Sequence, residues 1–119
     1  SYTTFAYGKP SADKKTMTAD DTISFTVNVK NTGTREGQEV VQLYISDKKS
    51  SLPRPVKELK GFQKVFLKAG ESREITFKIT PDLLKYYNYE LQYVAEPGAF
   101  DLMIGTDSQH VKTATFVLH

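Results

Sequence analysis

Thr22-Ile23-Ser24-Phe25-Thr26-Val27-Asn28-Val29-Lys30-Asn31-Thr32-Gly33-Thr34-Arg35-Glu36-Gly37-Gln38-Glu39-Val40-Val41-Gln42-Leu43-Tyr44-Ile45 is the stretch that decides the fold. Ile23, Phe25, Val27 and Val29 alternate with Ser24, Thr26, Asn28 and Lys30. Alternation of period two puts one set on a buried sheet face and the other in water. Asn31 to Gly37 contains two glycines and an asparagine, residues that accept positive φ or bond their own backbone, so the chain reverses there. In the following run Val41, Leu43 and Ile45 share one side while Val40 and Tyr44 occupy the other, which predicts a strand with both faces partly covered. The expectation is two long strands joined by a polar turn, with the rest of the chain laid against this pair.

Outward from that pair, Tyr2, Phe5 and Tyr7 are spaced for a short strand, while Gly8 to Asp13 and Thr18 to Asp21 read as turns. Ser46 to Pro55 is the longest irregular segment, since Pro53 and Pro55 remove amide donors and exclude a central strand. Phe62, Val65, Phe66 and Leu67, a tight reversal at Lys68 to Ser72, then Ile75, Phe77 and Ile79 predict a hairpin. Thr80 and Pro81 suit the cap and first position of one helical turn. Glu96-Pro97-Gly98 turns the chain into a strand carrying Phe100, Leu102 and Ile104, and Thr113 to Leu118 supplies the last strand. About seven or eight strands separated by turn signals, with no helix of useful length, predict an all-β antiparallel sandwich of the immunoglobulin or fibronectin type III kind. The tryptophan and paired cysteines of antibody domains are missing, since the chain has neither residue type.

A chain of 119 residues is one domain's worth, long enough to bury a single core without staples. The domain is therefore expected to span 1–119. Without cysteine there is no disulfide framework, thiolate metal site or cysteine nucleophile. No apolar run approaches the roughly twenty residues that span a bilayer, and the start lacks the basic-then-apolar layout of a signal peptide. The expectation is no membrane partner. A formal charge of +2, with acids scattered among the bases, argues against a nucleic-acid partner, which calls for a basic excess on one face. The basic run from Lys48 to Lys68 reads as a solvated loop and strand face.

Few residues invite chemistry. Asp20, Asp21, Asp47, Glu71, Asp82 and Asp107 stand where acids commonly cap or solvate a reversal, so the acids are expected at turns or on exposed strand faces and no catalytic pair is predicted. His110 and His119 come without a visible arrangement of further ligands, so no metal is expected, and with no helix behind a glycine-rich loop no nucleotide cofactor is expected either. Tyr86, Tyr87, Tyr89 and Tyr93 are left as candidate aromatics. They suit stacking on sugar rings, packing across strands, or a protein interface.

Several stretches carry a family likeness. Tyr2-Thr3-Thr4-Phe5, Val27 to Gly33, Gly37 to Tyr44 and above all Arg54-Pro55-Val56-Lys57-Glu58-Leu59-Lys60-Gly61-Phe62-Gln63-Lys64-Val65, followed by Leu67, Gly70 and Glu71, resemble the C-terminal fibronectin type III-like domain of family 3 glycoside hydrolases. Glu96 to Phe100 and Ile104-Gly105 extend the likeness over nearly the whole chain. The resemblance implies a fragment cut from a β-glucosidase or β-xylosidase, whose nucleophile and general acid lie in upstream domains, a barrel and an α/β sandwich. It brings no catalytic residue onto this sequence. Tyr93 stands where many relatives carry tryptophan, implying an aromatic packing role there.

On that resemblance, the expected function is a non-catalytic structural domain that packs on the upstream catalytic domains of the same chain and helps shape the rim of their active site. A periplasmic or secreted location goes with it. Arg54, Pro55, Lys57 and Glu58 are the expected contacts to those domains, the charged three as polar contacts, while Pro53 and Pro55 stiffen the loop and reduce the entropy lost on docking. The alternative is a carbohydrate-binding module that uses exposed tyrosines.

Overall fold

A computed structural model of the chain describes residues 3–48, 57–87 and 92–119, with the backbone alone for Tyr86 and Tyr87. Two sheets face each other. The first holds β1 (Phe5–Tyr7), β2 (Ser11–Ala12), β4 (Ile23–Asn31) and β7 (Ser72–Ile79). In it β4 is central, with β7 along one side and β1 and β2 end to end along the other. The second runs in the order β3 (Thr16–Met17), β11 (Val111–Leu118), β10 (Gly98–Gly105), β5 (Gly37–Asp47), β6 (Glu58–Leu67). A small ribbon pairs β8 (Tyr86–Tyr87) with β9 (Tyr93–Val94). Among the described residues seven strands have three or more residues and four have only two, so the expected sandwich of seven or eight strands is what forms. Among the described strands the one departure from antiparallel pairing is β3, which runs parallel to β11.

The alternation works as expected, because Ile23, Phe25, Val27 and Val29 point between the sheets together with Val41, Leu43 and Ile45. Across the gap, Phe25 meets Phe116 at a 5.6 Å centroid distance and Phe116 stacks on Phe100 at 5.5 Å, so three rings interlock at the centre.

The pairing is different from the expectation. β4 and β5 do not pair with each other, nor does the reversal at Lys68 to Ser72 close a hairpin. β4 pairs with β7 and β5 with β6, so each turn carries the chain from one sheet to the other. Alternation says which face of a strand is buried, and that face is the same whether the partner lies beside it or opposite it. The reversal itself is tight: the Glu71 amide donates to the Lys68 carbonyl at 2.9 Å, the Lys68 amide to the Glu71 carboxylate at 2.8 Å, and Gly70 takes φ 78°. The stretch Gly8 to Asp13, expected to be a turn, supplies the short strand β2, and Thr16–Met17, for which the sequence predicts no element, forms β3 and seats Met17 in the core region. Pro81–Leu84 forms a single 3-10 turn, but the Thr80 side chain makes no capping bond.

Two positions need glycine for closeness rather than for φ. A Cβ on Gly33 would lie 2.0 Å from Thr3 Oγ1, and one on Gly105 would lie 1.9 Å from the His110 carbonyl oxygen. The first lets the segment ahead of β1 lie against the β4–β5 crossing.

Candidate functional site

Among the described residues the one buried charged side chain, Glu39, lies at one end of the sandwich, where β1, β5 and the β10–β11 turn meet. Glu39 opens the inward-facing series of β5 and is only 9% exposed. Its neighbours in that series are apolar, so burial of the strand carries the carboxylate in with it. The hydroxyls of Tyr7 and Thr106 both donate to Glu39 Oε2, each at 2.8 Å. Tyr7 belongs to the first sheet, Glu39 to the second and Thr106 to the turn that leaves β10, so the Tyr7–Glu39 bond pins the sheets together at this end and Thr106 ties the turn to it. Burial first, then the bond to the Glu39 carboxylate, pushes the Tyr7 hydroxyl well above the usual tyrosine range, partly opposed by Thr106.

Two open hollows flank this network. One of about 410 Å³ is lined by Phe5, Tyr7, Thr106 and Lys112, among others. The other, of about 500 Å³, is lined by Thr3, Thr4, Phe5, Gln38, Glu39 and the β10–β11 turn. Asp107 sits in that turn and binds its own loop: Oδ1 accepts the amides of Gln109 and His110 at 2.9 Å each, and His110 Nδ1 lies 2.9 Å away. The His110 ring, followed by the Gln109 amide, holds the Asp107 carboxyl below its usual range.

The sequence expectation that acids lie at turns or on exposed faces therefore fails at Glu39. Its signal is visible in hindsight, because it shares parity with Val41, Leu43 and Ile45. No group of three or more metal-ligating side chains is arranged for a metal among the described residues, and none of their helices is long and apolar enough to cross a membrane.

A second surface feature lies on the outer face of the second sheet. Leu59, Phe62 and Phe66 stand on the edge strand β6, 52–58% exposed, opposite Tyr44, Gln42 and Gln38 on β5. Their shared side follows from the register, since directly paired residues point the same way. The register shifts at Leu43/Tyr44, where Lys60 is the extra residue of a bulge; its ammonium reaches Glu58 at 3.1 Å and the Lys85 carbonyl at 3.4 Å. Without that bulge Leu59 would fall on the opposite face from Phe62.

The named candidates are scattered relative to these features. Lys57 is exposed and donates to the Ser108 carbonyl at 2.8 Å, and Glu58 pairs with Lys60 beside the apolar strip. Tyr93 is half-exposed on β9, outside the buried core. Arg54, Pro53, Pro55 and Tyr89 lie outside the described residues, as do most of the proline-bearing loop and the side chains of Tyr86 and Tyr87.

The model of the fibronectin type III-like domain matches residues 39–108. The chain belongs to the fibronectin type III-like domain family. This domain is 45% identical over 118 residues to the periplasmic β-glucosidase of Salmonella typhimurium, covering 99% of this chain and 15% of that protein. It is 46% identical over 118 residues to β-glucosidase BoGH3A of Bacteroides ovatus, covering 98% of this chain and 16% of the relative. The solved β-glucosidase EmGH1 of Erythrobacter marinus superposes with a TM-score of 0.90 at 41% identity, over 99% of this chain and 16% of that one. The resemblance read from the sequence is thus borne out: this fibronectin type III-like domain matches a small part of family 3 β-glucosidases, about 15–16% of the length of these relatives. The alternative of a carbohydrate-binding module gains no support from the comparisons.

Proposed function

We propose that this domain is the non-catalytic accessory module of a longer β-glucosidase or β-xylosidase, and that residues 1–119 form one domain cut from that chain. It packs through the outer face of its five-stranded sheet on the other domains and holds them in their working arrangement. The observation that carries the reading is the strip of Leu59, Phe62 and Phe66, apolar side chains more than half exposed on an edge strand. An edge strand of a free-standing domain is ordinarily blunted by charge on its exposed positions; here Lys64 is the one charge among the outward positions Leu59, Phe62, Lys64 and Phe66, and three large apolar side chains so exposed mark a surface that something covers. The occupant is the remainder of the parent chain, because about 85% of the relatives' length lies outside the matched segment. Glu58 opens the same strand and Lys57 immediately precedes it, and together with Arg54 and Pro55, which lie outside the described residues, they are the proposed interdomain contacts at its rim. The parent works in the periplasm or outside the cell, a reading supported by the relative named as periplasmic.

Placing Phe62→Lys and Phe66→Lys in both the 119-residue chain and the full-length parent tests this reading. In the isolated domain the exposed positions change stability by about 0.5 kcal/mol or less. In the parent the same pair costs about 2–4 kcal/mol, because buried aromatic anchors dominate interfaces, and glycosidase activity on an aryl glycoside is lost at lower temperature. Equal effects in the two settings would sink the proposal.

A further inference from the structure

The hollow of about 500 Å³ beside Glu39 has the composition of a cation site. Glu39 is nine-tenths buried, and while Oε2 accepts two hydroxyls, Oε1 accepts no hydrogen bond from the described residues. No fully buried side-chain oxygen of the described residues lacks a partner, so Oε1 retains access to the hollow. A second carboxylate, Asp107, lines the same hollow and is already paired there with the His110 ring at 2.9 Å, while neither Lys nor Arg lines it, so Glu39 is the carboxylate left open to a cation. Two of the lining hydroxyls are already engaged, Thr3 with Asn31 at 2.6 Å and Thr4 with Thr32 at 2.7 Å. Phe5 supplies an aromatic surface and Gln38 an amide to the lining.

A buried carboxylate with half its acceptor capacity unused is costly unless a cation or further donors reach it. A planar guanidinium answers each feature at once. Its fork matches a carboxylate, its remaining N–H groups reach a second acceptor such as Gln38, and its flat face stacks on an aromatic ring. An ammonium offers a point charge without the flat face or the fork. We infer that the hollow between β1, β5 and the β10–β11 turn is a binding site for a guanidinium group, with Glu39 as its anchor.

The inference stands independently of the interdomain reading and is tested on the 119-residue chain by following backbone amides during titration with N-acetyl-arginine amide. Saturable shifts confined to Thr3 to Phe5, Gln38, Glu39 and Thr106 to His110 are expected. N-acetyl-lysine amide should bind several-fold more weakly, and N-acetyl-glutamine amide should give no saturable shift. Glu39→Gln, which keeps an acceptor for Tyr7 and Thr106, weakens the arginine compound about tenfold, the loss of one charge-assisted pair. Asp107→Asn, on an exposed turn, weakens it about threefold and serves where the Glu39 variant does not fold. Flat spectra, shifts unaltered in these variants, or equal shifts from the glutamine compound overturn the inference. Saturation transfer from N-acetyl-arginine amide in the full-length parent then separates the sources. Transfer retained there assigns the site to a free guanidinium ligand, and transfer lost there assigns it to an arginine from elsewhere in the parent.

Discussion

Asn31 and Glu39 are the two buried groups that flank the β4–β5 crossing, at 0% and 9% exposure, and they use their hydrogen-bonding capacity very differently. Asn31 has two amide donors and two acceptor sites, and all four are filled. Nδ2 donates to the carbonyls of Arg35 and Leu67 at 2.8 and 3.0 Å, while Oδ1 accepts from Thr3 Oγ1 and the Gly33 amide at 2.6 and 3.0 Å. Its own amide and carbonyl bond the β6–β7 reversal, through Glu71 and Gly70. One side chain thus ties the N-terminal segment and both sheet-to-sheet crossings. Glu39 satisfies two hydroxyls through one oxygen and leaves the other facing a hollow. A closed polar group is structural, and one left half open at the surface has room for a ligand.

Removing each group should reproduce that difference. Asn31→Ala strands the Arg35 and Leu67 carbonyls, the Gly33 amide and the Thr3 hydroxyl, which costs about 3 kcal/mol. Glu39→Ala frees only two hydroxyls next to open space, where water replaces the lost acceptor, and costs about 1 kcal/mol. Urea unfolding of the two variants measures both. Equal losses would mean that Glu39 is as much a keystone as Asn31, and the contrast would fail.

A smaller effect probes how Asn31 is held. In Gly33→Ala the new methyl would sit 2.0 Å from Thr3 Oγ1, so the hydroxyl must rotate away and release Asn31 Oδ1. The expected cost is about 1.5 kcal/mol, and in a Thr3→Ala background most of that penalty disappears. Additive losses in the double variant would show that Gly33 serves some other purpose than room for Thr3.

The strands of both sheets were legible because burial of alternate side chains needs only local parity, which Ile23 to Val29 and Val41 to Ile45 display without interruption. Which sheet each strand joins was not legible. The crossings at Asn31 to Gly37 and Lys68 to Ser72 carry the same turn chemistry as hairpins, and what distinguishes them is a long-range bond set converging on Asn31. Its turn-forming composition was visible, but its partners Thr3 and Leu67 are remote in sequence. The site was less legible still. Glu39 looked like the polar start of a strand, and only its parity with buried neighbours betrayed it. The apolar strip needed the Lys60 bulge to bring Leu59 onto the face of Phe62 and Phe66. The two-residue strands β2 and β3 leave no period to detect, since they are ordered by the strands they border.

The most delicate difference between the two polar groups is in their response to pH, because only Glu39 has a titrating partner in Tyr7. The Tyr7 hydroxyl titrates above its ordinary value of 10.0 because burial and the adjacent carboxylate disfavour the phenolate. The folded state thus holds this proton more tightly than the unfolded chain does. Stability from the neutral hydroxyl is therefore complete below the ordinary value and is lost as pH rises through the higher folded one. Tyr7→Phe forfeits the bond to Glu39 at every pH but has no proton to lose. Below about pH 9 the gap between the native chain and Tyr7→Phe should remain constant, and from about pH 10 upward the urea midpoints of the native chain should fall toward those of Tyr7→Phe. Asn31→Ala has no titrating group, so its gap from the native chain should not close in the same way. Native and Tyr7→Phe curves that stay parallel up to about pH 12 would show that the Tyr7 proton is not held by the fold, and that Glu39 is as open to solvent on its Oε2 side as on its Oε1 side.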